Sequence, residues 1–121
     1  MGKTVLVVDD STSMRQLVSF ALKDAGFDVL AATDGKDAIG KLNGTRMAMI
    51  ITDLNMPNVN GIEFIKQVRQ TEGYKYTPII MLTTESQESR KEEGRRAGAS
   101  GWIVKPFVPE QLLSVVRKFV R

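Results

Sequence analysis

The chain has 121 residues, no cysteine, no histidine, a formal net charge of +3, and 42% hydrophobic against 26% charged residues. That is the size and composition of one globular domain with a real core, and it excludes disulfides, thiolate metal sites, the usual zinc ligands and the commonest general base. No apolar run reaches membrane-spanning length and no signal-peptide pattern is present, so a cytoplasmic protein without membrane contact is expected; the modest, dispersed positive charge argues against direct nucleic-acid binding.

Strand-like and helix-like periodicity alternate along the chain. Val5 to Val8 is a continuous apolar run, as expected for a strand buried on both faces. Ser11, Thr12 or Ser13 can cap a helix whose apolar stripe is Met14, Leu17, Val18, Ala21, Leu22 and Ala25, ended by Gly26. A short strand follows at Val29–Ala32, then Asp34-Gly35 and a helix carrying Ala38, Ile39 and Leu42, stopped by Asn43-Gly44. The strand Ala48–Thr52 leads through Met56-Pro57 and Asn60-Gly61 into a helix carrying Ile62, Ile65 and Val68. Pro78 opens the strand Ile79–Leu82, a polar helix spans about Ser86 to Ala97, and Gly98 ends it before the strand Gly101–Val104. Pro109 begins the last helix, with Leu112, Leu113, Val116, Phe119 and Val120 inward. Five β/α units imply an α/β fold, a five-stranded parallel sheet with helices on both faces and right-handed crossovers. A single domain over residues 1–121 is expected, with no output domain.

Chemistry collects where the strands end. The first run ends in Asp9-Asp10, the third in Asp53, the fourth in Thr83-Thr84 and the fifth in Lys105-Pro106. Ligands of open parallel sheets bind at the carboxyl ends of strands, near a topological switch point. If these strands are neighbours, three carboxylates, a hydroxyl and an ammonium converge. Two like charges about 4 Å apart repel by roughly 4 kcal/mol at an effective dielectric near 20, so the cluster calls for a cation. Magnesium, with its oxygen ligands and its habit of working beside phosphate, is the natural candidate. Lys105 and Thr83 suit a phosphoryl group carried on one aspartate, a transfer that depends on positioning and charge neutralisation. Any one of these aspartates alone reads as a solvated loop residue or helix cap; their joint placement at different strand ends is what is specific.

Val-Val-Asp9-Asp10-Ser, Asp53-Leu-Asn55-Met-Pro57-x-x-x-Gly61, Thr83-Thr84-Glu85, and Ala97-Gly98-Ala99 leading to Lys105-Pro106-Phe107 resemble, over the whole length, the response regulator receiver domain, and most closely the single-domain chemotaxis regulators of the CheY type. The resemblance implies the flavodoxin-like (β/α)5 receiver fold with strand order 2-1-3-4-5, an order taken from the family, a standard instance of it, rather than deduced. It implies Asp53 as phosphoacceptor for a sensor histidine kinase, and Mg2+ bound by Asp10, Asp53 and the Asn55 backbone carbonyl, with Asp9 acting through water. It also implies Lys105 pairing with the phosphoryl oxygens and Thr83 reporting their presence. Asn55 and Glu85 occupy positions that tune hydrolysis in the family, and the pairing resembles fast-resetting chemotaxis regulators. The protein would catalyse its own phosphorylation and dephosphorylation without being a turnover enzyme. Trp102 departs from the family's usual tyrosine or phenylalanine at the switch position; the indole donates only through its N–H, and it either couples to Thr83 or simply packs between the last helices.

The fourth helix has no large apolar side chain from Ser86 to Arg96, and its internal Gly94 costs about 1 kcal/mol relative to alanine. Little burial holds it, so helix four and the last strand are expected to be the element that phosphorylation biases. Arg90, Lys91, Arg95, Trp102, Arg117 and Lys118 would form a basic rim around an aromatic, suited to an acidic partner such as a flagellar motor component or another regulator, with the receiver itself a monomer. A phosphate sink draining a kinase shares all of this chemistry. A Mg2+-dependent phosphohydrolase lacks a loop to enclose its substrate and a second general acid. A flavodoxin-like cofactor binder would not have Asp-Asp-Ser-Thr-Ser, without glycine, at its first strand-to-helix turn.

Overall fold

Apolar, largely β-branched segments form five strands: β1 Thr4–Val8, β2 Asp28–Ala32, β3 Met49–Asp53, β4 Ile79–Thr83 and β5 Gly101–Val104. Between and after them lie α1 Thr12–Asp24, α2 Gly35–Lys41, α3 Gly61–Gln70, α4 Glu88–Ala97 and α5 Pro109–Phe119. The structure is a computed structural model in which residues 3–56, 59–84 and 88–120 are described. All strands are parallel, in the order β2-β1-β3-β4-β5. The expected α/β receiver architecture and strand order are therefore present. β3 starts one residue later than the apolar run suggests and takes in Asp53; Ser86 and Gln87, expected in the fourth helix, lie outside the described residues.

Alternation of side chains along each strand builds two cores. Leu6, Val8, Ile50, Ile79 and Met81 pack with Ala38 of α2 and Phe64, Ile65 and Val68 of α3. On the other face Val5, Val7, Met49, Ile51, Ile80 and Leu82 pack with Val18 and Leu22 of α1 and Leu112 and Val116 of α5. Central strands β1, β3 and β4 are buried on both sides, which is why they read as unbroken apolar runs.

Short polar side chains set where the helices begin. Ser11 Oγ accepts from the Met14 N–H at 3.3 Å, Asp34 Oδ1 from the Asp37 N–H at 2.8 Å, and Asn60 Oδ1 from the Glu63 N–H at 2.9 Å. In α1 the inward arc is Val18, Ala21 and Leu22, with Met14 half-buried. Leu17, assigned to the apolar stripe from its spacing, is instead 44% exposed, because it lies at the margin of that arc. In α4 the one buried residue is Gly94. A Cβ there would collide with Met81 Sδ and approach Met81 Cε to 2.6 Å, so the glycine admits the Met81 side chain of β4 beneath the helix.

Candidate functional site: an acidic pocket at the carboxyl ends of β1, β3 and β5

The sheet places the expected polar residues at one pole. Val8 is in register with Thr52, so Asp9 and Asp53, each one residue further on, end neighbouring strands at the same level. Thr83, in register with Val104, is the next strand's last residue, and the Lys105 N–H donates to the Thr83 carbonyl at 2.6 Å. β1 lies between β2 and β3, so its carboxyl end is the switch point of the sheet.

Asp9, Asp10 and Asp53 each offer a carboxylate oxygen within 4.8 Å of the others. Lys105 Nζ stands 3.2 Å from Asp53 Oδ1 and 3.8 Å from Asp9 Oδ2. Asp9 is fully buried and Asp53 is 7% exposed, whereas Asp10 faces solvent. Local backbone holds the acids: the Ser11 N–H donates to Asp9 Oδ1 at 2.9 Å, and the Leu54 N–H to Asp53 Oδ1 at 2.8 Å. The Arg15 guanidinium donates to the Asp9 carbonyl at 2.8 Å, tying α1 to the loop before it.

Among the described residues, Asp9 Oδ2 and the buried Thr83 Oγ1 have no hydrogen-bond partner. Burial pushes the Asp9 carboxyl above its ordinary value of 3.8; the Ser11 N–H opposes this, the Asp53 charge adds to it, Lys105 opposes it, and Asp10 adds again. One ammonium thus faces three carboxylates. An oxygen-only donor set with a buried, unpartnered oxygen fits a hard divalent cation of the magnesium type.

Gly61 lets α3 come close enough to position Asp53. Its N–H donates to the Leu54 carbonyl at 2.9 Å. A Cβ there would strike the Asp53 carbonyl oxygen and lie 2.7 Å from Leu54 Cα. The role of this glycine is a close approach, a requirement that the Asn-Gly turn signal alone does not reveal.

The remaining predicted residues lie around this centre. Asn55 is exposed two residues beyond Asp53, and Glu85 lies outside the described residues. Trp102 is 43% exposed, and the Lys91 ammonium sits 5.4 Å from its ring centroid while pairing with Glu88 at 2.8 Å. Arg95 pairs with Glu92 at 2.8 Å and Arg90 with Glu93 at 3.4 Å. Arg90, Lys91 and Arg95 of α4 are therefore each paired with a glutamate of the same helix, which leaves α4 with one cation more than its glutamates. Arg117 and Lys118 on α5 are exposed and, among the described residues, form no ion pair.

The family description "Response regulator receiver domain" matches residues 5–117. The chain is 42% identical over 110 residues to the chemotaxis protein CheY1 of Helicobacter pylori, covering 89% of each chain. It is 36% identical over 115 residues to the chemotaxis protein CheY of Pseudomonas aeruginosa, covering 94% of this chain and 93% of that one. The solved structure of the chemotaxis response regulator CheY4 of Vibrio cholerae superposes with a TM-score of 0.93 at 49% identity, over 99% of this chain and 100% of that one. Receiver domains are signalling proteins that take phosphate from histidine kinases and bind Mg2+ at an acidic pocket. With the five-stranded parallel sheet and that pocket in place, the chain belongs to the response regulator receiver domain family, as a CheY-like member.

Proposed function

We propose that this chain is a phosphorylation-switched signalling module of a chemotaxis-type two-component system, accepting a phosphoryl group on Asp53. The observation that carries the reading is the approach of Lys105 Nζ to Asp53 Oδ1, 3.2 Å, beside carboxylates gathered within 4.8 Å. A carboxylate oxygen of Asp53 attacks the phosphorus of a kinase phosphohistidine; the P–N bond breaks and its electron pair leaves on the imidazole nitrogen. Later, water attacks the same phosphorus, and Asp53 is regenerated as inorganic phosphate departs. Asp10, Asp53 and the Asn55 carbonyl, with Asp9 behind, would hold Mg2+, which when bound would supply positive charge beside the transferring oxygens. Lys105 adds a further cation, and the Thr83 hydroxyl, without a hydrogen-bond partner among the described residues, is placed to donate to a phosphoryl oxygen.

Output passes through α4, β5 and α5. Met81 couples the strand of Thr83 to α4 through Gly94, and Met81 is in register with Trp102 on β5. Since α4 buries only this glycine, its attachment is weak enough to be biased by what happens two residues further along β4. Intact-mass spectrometry after incubation with Mg2+ and acetyl phosphate should find one added phosphoryl group, lost in Asp53→Asn. Hydrogen exchange with beryllofluoride should then change protection within residues 84–104. A phosphoryl group still acquired by Asp53→Asn rules out the acceptor assignment, and unchanged exchange in that segment rules out the output route.

A further inference from the structure

Two hollows lie at the opposite pole, among the amino ends of the strands. The first, about 510 Å³, has Met47, Pro78 and Phe119 in its lining with Lys3 and Arg46 at its edge. The second, about 450 Å³, shares Arg46 and Met47 and is bounded by Lys75 and Tyr76. The shared residues make them one groove with an apolar floor and three cations along it. Among the described residues no carboxylate lines either hollow, and Lys3, Arg46 and Lys75 form no ion pair. Tyr76 is 87% exposed, with the Lys75 ammonium 5.7 Å from its ring centroid.

The loops that carry these residues are braced. Buried Tyr74 donates its hydroxyl to the Thr45 carbonyl at 2.6 Å and accepts from the Gly44 N–H at 3.2 Å. Arg69 donates to the carbonyls of Tyr74 at 3.0 Å, Thr77 at 2.7 Å and Gly98 at 2.7 Å. The Ala48 N–H donates to the Thr4 carbonyl at 2.7 Å. Arg46 and Tyr76 are thus presented from a preformed frame, which lowers the ordering cost of binding, and arginine and tyrosine are the side chains that most often anchor interfaces.

We propose that this groove is a second docking surface, occupied by an acidic peptide segment of a partner protein with an apolar side chain seated over Met47 and Phe119. Unbalanced cations select the acidic charge, and the floor selects the apolar anchor. A nucleic acid would call for a longer cationic track than three residues around apolar hollows. The groove lies a whole strand length from Asp53 and meets the proposed output elements only at Phe119, the last residue of α5, so occupancy is independent of phosphorylation: the surface anchors the receiver and does not read its state.

The test is a titration of the full chain, followed by backbone amide NMR and anisotropy, with a fluorescein-labelled peptide of glutamates around a leucine and a phenylalanine. Saturable shifts confined to residues 3–4, 44–48, 74–77 and 118–120, equal with and without beryllofluoride, are expected. Arg46→Glu with Lys75→Glu should weaken binding about tenfold or more without altering the melting temperature, and Arg46→Lys should retain most of the affinity. Serine in place of the peptide's leucine and phenylalanine should weaken it as well. Shifts on α4, on β5 or on residues 109–116 of α5, no saturation, equal binding of the serine peptide, self-association through these loops, or a duplex oligonucleotide competing at the same residues would each overturn the proposal.

Discussion

Asp9 is fully buried, beside two other carboxylates, and one of its oxygens has no hydrogen bond among the described residues. Burial holds its folded-state pKa above the ordinary 3.8, so the native chain binds the proton more tightly than the unfolded chain. The stability this gives is complete below about pH 3.8 and is lost as pH rises through the folded value. In a chelator at neutral pH, Asp9→Asn should therefore stabilise the chain by about 1–2 kcal/mol, with the gain vanishing below pH 3.8. Urea melts across pH check this, and a neutral-pH loss in the variant contradicts it. Gly61 acts at the same scale from the other side of the pocket. Gly61→Ala forces a methyl group against the Asp53 carbonyl and Leu54 Cα; it should cost about 1–3 kcal/mol and slow phosphoryl uptake, read by melting and by the time course of mass gain. The acids, Thr83 and Lys105 were legible because each stands where an apolar strand run ends. The structural need for Gly61 was not, since its requirement comes from a strand that precedes it in the chain and not from its own turn.

At the scale of elements, α4 separates propensity from packing. Helix propensity alone says Gly94→Ala should stabilise by about 1 kcal/mol. The Met81 side chain occupies that space, and an overpacking cost of about 1–3 kcal/mol offsets the propensity gain, so the net effect should be a loss of up to about 2 kcal/mol. Met81→Val in the same chain should recover part of it, because the two substitutions share one contact; equilibrium denaturation of the single and double variants decides. On the outer side of the same element, Lys91 covers the indole of Trp102, the chain's one tryptophan. Lys91→Ala should leave its emission more red-shifted and more readily quenched by iodide, at a stability cost of about 0.5–1 kcal/mol. Strand and helix positions followed from period and punctuation, and so did the polar nature of α4. What escaped were Leu17 at the margin of the α1 arc and the Arg69 and Tyr74 hydrogen bonds that brace distant loops. Those long-range bonds have no local periodic signal, whereas the glutamates of α4 stand at i,i+3 from their cations, a spacing the sequence does display.

Across the whole molecule the parallel sheet gives its two poles different chemistry. Strand carboxyl ends gather Asp9, Asp10 and Asp53 around Lys105, and the amino ends carry Lys3, Arg46 and Lys75 around an apolar groove. The first pole is where a ligand should be felt by the entire fold, because its residues end three of the five strands. The most direct measurement is thermal unfolding of wild type and Asp53→Asn with magnesium and beryllofluoride, a mimic of aspartyl phosphate. A native-state ligand at 100 times its dissociation constant adds about 2.7 kcal/mol. Asp53 as acceptor predicts a rise of several degrees that requires both magnesium and beryllofluoride and is absent from Asp53→Asn; an equal rise in the variant, or none in the wild type, would contradict it.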